Sequence, residues 1–259
     1  HIEPLDMLTR VAHGARQDAG LTERDLKKLD TIALVGIPGW HPTNSANLVA
    51  DRLDAHPRHE YVSGTGGQVG VTLLNSMANE IVQGESEFAL IAGCNILKVL
   101  LQAIAAKKQL TWTRGGAGTP VLVGGDEPGS SELEGQYGLE QPTDIYPLFE
   151  NAMRAKLGLD FDQHNQRMGN MFARFTEVAA GNDYAWFPTQ RSAEELTTVT
   201  AANRMICFPY PKYLNAVLNT EQAAGLILCS VAKAKALGVP EEKWIYWWGG
   251  AHSQEKAWW

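Results

Sequence analysis

The residues in this sequence best placed for chemistry stand between Tyr61 and Cys94, in YVSGTGGQVGVTLLNSMANEIVQGESEFALIAGC. Gly64, Gly66 and Gly67 come immediately before an apolar-periodic stretch, so the backbone can turn sharply and present the first N–H groups of a helix, which have no partner within it. Such an end favours negative charge, either a bound anion or a developing oxyanion. Cys94 follows the apolar run Phe88–Ala92 and precedes another helical pattern, where a helix dipole lowers a thiol's pKa. It is a candidate nucleophile. A small buried side chain at a strand end is the plainer reading, because no histidine lies near it in sequence to act as base.

Three other places carry suitable side chains. Thr113-Arg114-Gly115-Gly116-Ala117-Gly118 pairs backbone N–H groups with the guanidinium of Arg114, a set that suits a phosphate but matches no established phosphate loop. His164, Arg167 and Arg174 lie on one predicted helix and would suit a pyrophosphate or adenine, although solvated helix positions are the commoner account. His252 lies in a predicted loop, where solvent exposure is the default. The cysteines Cys94, Cys207 and Cys229 have no metal-ligand spacing and their number is odd, which suits reduced thiols.

The elements that must position these groups read as alternating helix and strand. Pro4–Ala19 is an amphipathic helix, Thr31–Ile37 a buried strand, Thr43–Ala55 a helix capped by Thr43 or Asn44, and His59–Ser63 a strand. The helix from Gly67 to Val82 has apolar residues at Val69, Leu73, Leu74, Met77, Ala78, Ile81 and Val82, a stripe wide enough for enclosure on much of its circumference. Gly84 closes it, and Phe88–Ala92 is apolar throughout, as in a parallel strand covered on both faces. Asn95–Lys107 is a further helix. Leu110–Pro142, rich in glycine and acidic residues, reads as a long loop.

Asp144–Gly158 and Asp160–Ala180 read as paired helices sharing a core of Phe149, Met153, Leu157, Met168, Met171, Phe172, Phe175 and Val178. Ser192–Glu195 opens a helix with a capping box. Asn219–Cys229 returns the chain to the sheet, Val231–Leu237 is a helix ended by Gly238, and Trp244–Trp248 a final apolar strand. The pattern specifies an α/β fold with a mostly parallel sheet around a central helix and a helical insertion. The expected divisions are residues 1–110, 111–205 and 206–259.

With 259 residues, 44% of them hydrophobic, the chain can bury a substantial core. A net charge of −7 with no basic cluster argues against nucleic acid as a partner, without forbidding a local basic pocket. No apolar run reaches bilayer-spanning length and the first residues, HIEPLDML, lack signal-peptide order, so the cytoplasm is the expected compartment. The sequence begins inside a helix-like segment and stops at Trp258-Trp259, as part of a longer polypeptide would.

The glycine run entering a helix, followed by IVQGESEFALIAGCN, resembles the central helix and next strand of the thiolase superfamily, enzymes that make or break carbon–carbon bonds in acyl-CoA thioesters. The segments ENAMRAKLG, HNQRMGNMFARFTEVAAGNDYAWFP, RSAEELTTVTAANRMICFPYPK and YLNAVLNTEQAAGLILCSVAKAKALGVP extend the likeness over nearly the whole chain, toward a degenerate branch often labelled acetyl-CoA acetyltransferases. The resemblance implies a layered thiolase-like fold whose insertion covers coenzyme A, with CoA or acyl-CoA as substrate or ligand and no covalently bound cofactor. It also implies a homodimer or partner subunit reached through the central helix layer. In that family a cysteine nucleophile begins the central helix three residues before a glycine. Counting back from Gly70 and Gly84, that place is held here by Gly67.

Glycine cannot accept an acyl group, so the resemblance implies acyl-CoA binding without thiolase-type covalent catalysis. Two alternatives stand beside a residual acyltransferase: a non-catalytic acyl-CoA-binding or assembly subunit, and cysteine-independent retro-aldol cleavage of a hydroxyacyl-CoA. The Gly-His-Pro histidine and second cysteine that serve thiolases as base and acid are absent from the sequence, and the surroundings of His252 do not match that motif.

Overall fold

Residues 2–125 and 129–253 are described by a computed structural model. The chain divides into two compact units, one formed by the segments His1–Glu127 and Asn219–Gln254, the other within Pro128–Leu218. Against the expected divisions at 110/111 and 205/206, the separation falls later at both places. Residues after 110 contribute a strand to the sheet of the first unit, and residues 206–218 pack within the second.

The first unit opens with α1 (Pro4–Asp18), a short α2 (Glu23–Leu26), β1 (Thr31–Leu34), α3 (Ser45–Leu53), β2 (His59–Ser63), α4 (Val69–Gln83), β3 (Phe88–Asn95), α5 (Leu97–Ala105) and β4 (Val121–Val123). The second unit holds α6 (Glu132–Gln136), α7 (Pro142–Lys156), α8 (Phe161–Ala180), α9 (Ala193–Thr197) and the small antiparallel pair β5 (Met205–Cys207) and β6 (Tyr210–Pro211). The chain then returns to the first unit with β7 (Gln222–Cys229) and α10 (Val231–Ala236). The five-stranded sheet runs β4-β2-β1-β3-β7, with β4, β2, β1 and β3 parallel and β7 antiparallel to β3.

Residue alternation along the central strands decides what covers each face. Ile32, Leu34, Phe88 and Leu90 turn to one side, where Leu5, Leu8 and Ala12 of α1 and Val49 and Leu53 of α3 enclose them. Ala33, Ala89 and Ile91 turn to the other side and meet Leu73 and Met77 of α4. Two alanines on that face leave room for the helix to lie close to the sheet. Gly84 ends α4 in the left-handed conformation (φ +80°) that an L side chain resists.

Four sequence expectations are corrected. The central helix is enclosed less than its stripe suggests: away from the sheet the 244–252 segment reaches it only at Asn75 and Thr72, and Val71 and Val82 stand open. Residues 244–248 form no strand; Trp244 and Trp247 are held instead by indole hydrogen bonds to the Val239 carbonyl and to Asn75 Oδ1, while Ile245 and Trp248 are exposed. The long loop from Leu110 to Pro142 contains β4, which extends the sheet beyond β2. Of the residues expected to form a core between α7 and α8, Met168 is buried and Phe172 partly so, whereas Phe149, Met153, Leu157, Met171, Phe175 and Val178 are exposed. α8 packs instead on α9 and the turn at Leu214, through Met168, Leu196 and Leu214.

Asn44 ties α3 to the segment that leads into β4. Its side chain caps α3 by accepting from the Asn47 N–H (3.1 Å) and donates to Glu60 (2.6 Å) and the Ala117 carbonyl (2.8 Å), while its own N–H donates to the Gly115 carbonyl (2.9 Å). The side chain is fully buried, so Asn44→Ala removes a cap and strands two acceptors. A loss of about 2–4 kcal/mol is expected in urea unfolding. Asn44→Asp, which keeps the cap but sets a second carboxylate against Glu60, should do no better.

Candidate functional site

The common register of β1, β2 and β3 brings their carboxyl ends to one edge: Leu34 lies opposite both Val62 and Ala92. Beyond that edge of an α/β sheet is where crevices form. After β1 the chain bends across the end of β2 at Gly36, where a Cβ would stand only 2.5 Å from the Ser63 carbonyl oxygen. Glycine is required by that approach. Ser63, buried, donates from its hydroxyl to the Gly64 carbonyl (2.8 Å) and accepts a long bond from the Gly36 N–H (3.4 Å). A cleft of about 200 Å³ opens here, lined by Gly36, His41, Thr43, Ser63, Thr65 and Leu122 among others.

Thr65 leads from this cleft to the amino end of α4. Gln68 stands at the N-cap position, its side chain making no cap hydrogen bond and lying instead over Gly66, whose Cβ would be 2.8 Å from Gln68 Oε1. At Gly67 the site is open: a Cβ there meets no atom within 4 Å. One turn into α4, Thr72 Oγ1 lies 3.1 Å from His252 Nδ1. Gly66, Gly67 and His252 are therefore gathered around the start of α4, although His252 is more than a hundred residues away in sequence.

Cys94 is not part of this group. Its side chain packs with the cluster on the α1/α3 face, whereas α4 lies on the opposite face of the sheet. Burial pushes its thiol up to about 12, so a neutral SH is the form present.

Arg114 is exposed, but the backbone around it is committed to the fold. The Thr113 N–H and hydroxyl both donate to Glu3, the Ala117 N–H donates to Asn47 Oδ1 (2.7 Å), and the Thr113 carbonyl accepts from Trp40 (2.7 Å). Gly116, with φ +93° and a Cβ position 2.2 Å from the Asn44 carbonyl oxygen, serves that packing.

In the second unit, His164 and Arg167 separate. Arg167 is exposed, with Nη1 3.9 Å from Met153 Sδ. His164 is 1% exposed and its Nε2 contacts Glu150 Oε1 at 2.7 Å, so the solvated helix position expected from sequence is corrected to a buried polar contact. Tyr210 donates its hydroxyl to the other oxygen of Glu150, and burial together with that carboxylate raises the phenol's pKa. Glu150 and Tyr210 gave no sign in sequence, being sixty residues apart. Ser63 and Thr72 were also missed; the signal for Ser63 was a lone hydroxyl ending a β-strand just before the glycines.

Among the described residues no group of three or more metal-ligating side chains occurs, and no helix is long and apolar enough to cross a membrane. No protein-family profile matches the sequence, and no curated protein does. Solved structures do match. A monomeric SCP2-thiolase-like protein type 1 from Mycobacterium smegmatis is 34% identical, with a TM-score of 0.74 over 95% of this chain and 46% of that one. An Ltp2–ChsH2(DUF35) aldolase shares the fold at 17% identity, with a TM-score of 0.60 over 90% of this chain and 52% of that one.

The chain belongs to the thiolase superfamily, with the layered α/β architecture of the SCP2-thiolase-like proteins. It spans about half the length of the solved structures it matches.

The open space at Gly67 allows a direct test of what the start of α4 does to a side chain. Gly67→Cys should fold with stability within about 1 kcal/mol of the parent, since nothing must move to admit the thiol. At pH 7.5 this thiol should alkylate with iodoacetamide at least about tenfold faster than Cys94, because a helix amino end lowers a thiol's pKa. Peptide mapping by mass spectrometry reads both rates.

Proposed function

We propose that this protein binds an acyl-CoA thioester with its carbonyl at the amino end of α4 and processes or holds it without forming an acyl-enzyme. The observation that carries this reading is Gly67. The start of a sheet-packed helix, beside a cleft at the strand ends, offers N–H groups and a dipole but no thiol. What such an end can supply is electrostatic stabilisation of a thioester oxygen as it gains charge.

A second reading is favoured by the fold neighbour described as an aldolase and by His252 beside Thr72. In retro-aldol cleavage of a β-hydroxyacyl-CoA, a base removes the hydroxyl proton and the Cα–Cβ bond breaks. The hydroxyl carbon leaves as a carbonyl, and the thioester enolate, held at α4, takes up a proton. His252, held at Thr72 in the first turns of α4, is the candidate for that base. The neighbour is an Ltp2–ChsH2 assembly, which supports a partner subunit here also, and the exposed Val71 and Val82 of α4 are where a second subunit or further protein layer would sit. A cytoplasmic setting and a role in lipid metabolism belong to the same reading.

Incubation with radiolabelled acetyl-CoA should leave no covalent label after denaturation, while calorimetric titration with acetyl-CoA gives saturable binding. Stoichiometric label mapping to Cys94 would overturn the non-covalent reading, and absence of binding would remove the ligand. Turnover of a β-hydroxyacyl-CoA that falls by at least about tenfold in His252→Ala would select the lyase over a holding role.

A further inference from the structure

α4 meets the sheet through Leu73 and Met77, and away from the sheet it carries two polar residues three apart, Thr72 and Asn75. That spacing makes them neighbours on one helix face. Both are engaged by residues 247–252. Trp247 donates its indole N–H to Asn75 Oδ1 (3.1 Å), and Thr72 Oγ1 lies 3.1 Å from His252 Nδ1. Between those two contacts Gly250 lies against the Asn75 amide, where a Cβ would stand 2.0 Å from Oδ1 and 2.6 Å from Nδ2. Glycine is what fits there without displacing the amide.

Packing alone does not account for Asn75. It is 9% exposed, and its Nδ2 is buried with no acceptor among the described residues. A buried amide satisfied on one side only is less stable in such a place than an apolar side chain of the same size. What the amide does provide is the acceptor that holds Trp247, and with it the segment that carries His252.

His252 has a requirement of its own. It is exposed, so burial does not orient its ring. To take a proton from a substrate hydroxyl, an imidazole must present one bare nitrogen, and the hydrogen bond made by the other nitrogen decides which one that is. With Nδ1 beside Thr72 Oγ1, an Nδ1–H donates to the hydroxyl oxygen and Nε2 keeps its lone pair.

We propose that Thr72 and Asn75 are positioning residues for His252. Thr72 holds the imidazole as the Nδ1–H tautomer with Nε2 free to accept, and Asn75, through Trp247 and Gly250, fixes the segment that bears the ring. This role rests on the lyase reading of the start of α4 and specifies how its base is oriented. When Nε2 takes the substrate's hydroxyl proton, the O–H pair becomes the new carbonyl bond and the Cα–Cβ pair passes to the enolate. The ring is then an imidazolium, its Nδ1–H still donating to Thr72, and the proton on Nε2 returns to the enolate carbon.

Long-range proton–nitrogen NMR correlation of the imidazoles reads the orientation in the whole chain without substrate. At alkaline pH His252, assigned by its loss in His252→Gln, should show the Nδ1–H tautomer in at least about threefold excess. Thr72→Ser should keep that excess, and Thr72→Val, similar in shape but without the hydroxyl, should abolish it. Asn75→Leu and Trp247→Phe break one hydrogen bond from opposite sides. Each should abolish the excess, and the two together should do no more than either alone. Asn75→Leu should not lower the midpoint of urea unfolding, since it removes a half-satisfied amide, so its effect on His252 is separable from loss of folding. With a β-hydroxyacyl-CoA, Thr72→Val, Asn75→Leu and Trp247→Phe should each lower kcat at least about tenfold with KM within about twofold of the parent, and Thr72→Ser should restore it.

The role is overturned if His252 is the Nε2–H tautomer in the parent, if Thr72→Val leaves the Nδ1–H excess in place, or if Asn75→Leu and Trp247→Phe leave it unchanged. Turnover that requires His252 but is the same in Thr72→Val and Asn75→Leu overturns it equally. If Asn75→Leu does not fold, Trp247→Phe decides, because it breaks the same bond from outside the helix. An oriented ring in a chain that cleaves no β-hydroxyacyl-CoA, or whose turnover survives His252→Ala, would remove the lyase reading while upholding the orientation.

Discussion

The parallel register of β2, β1 and β3 is the constraint on which the site depends. Every residue of β1 is buried, and one step along the strand reverses the face on which a side chain falls. Large side chains at Ile32 and Leu34 therefore go to α1 and α3, and the small Ala33 goes to α4. A shift of one residue would place leucine where α4 packs and push the helix away from the sheet. The same register aligns the strand ends, so that Gly36, Ser63 and the Gly64–Gly67 turn meet at one edge.

Much of this was legible in the sequence because it rests on local periodicity. α1, α3, β2 and α4 appear within two residues of where alternation and helical spacing put them, and Gly84 ends its helix as its lack of a side chain allows. What was not legible rests on partners distant in sequence. Trp244–Trp248 has the composition of a strand, but its indoles donate to the Val239 carbonyl and to Asn75 and the segment pairs with no strand. β4 is three residues long inside a glycine-rich stretch, too short for any period to show. The apolar stripes of α7 and α8 were visible, but a stripe does not specify its covering, and much of theirs is left open.

The same distinction applies to the candidate site. The glycines before α4 announce a helix start in the sequence, whereas the polar groups that complete it do not. His252 reaches Thr72 from 180 residues away, and Ser63 acts through the carbonyl of the next residue and the Gly36 N–H. His164 illustrates the opposite error. On a helical wheel it groups with Arg167, yet the angular difference between them on α8 places one against Glu150 of α7 and leaves the other in solvent.

Strand parity also decides whether the thiol of Cys94 can reach the start of α4. Cys94 follows Leu90 and Ala92 at intervals of two, so its side chain must share their face, and that face belongs to α1 and α3. No change of rotamer carries a thiol through a hydrogen-bonded sheet, and β7 pairs with β3 along its whole length, with Ala223 opposite Cys94. To bring this sulfur to the start of α4 would require the strand to slip by one residue, which would also reverse Phe88 and Leu90 out of the core. The groups the described residues do bring to the start of α4 are backbone N–H groups, the Thr72 hydroxyl and the His252 imidazole. A cysteine two residues before the helix is sterically admissible, since nothing occupies the space above Gly67. Glycine at this position is thus a property of the sequence and not a requirement of the fold around it.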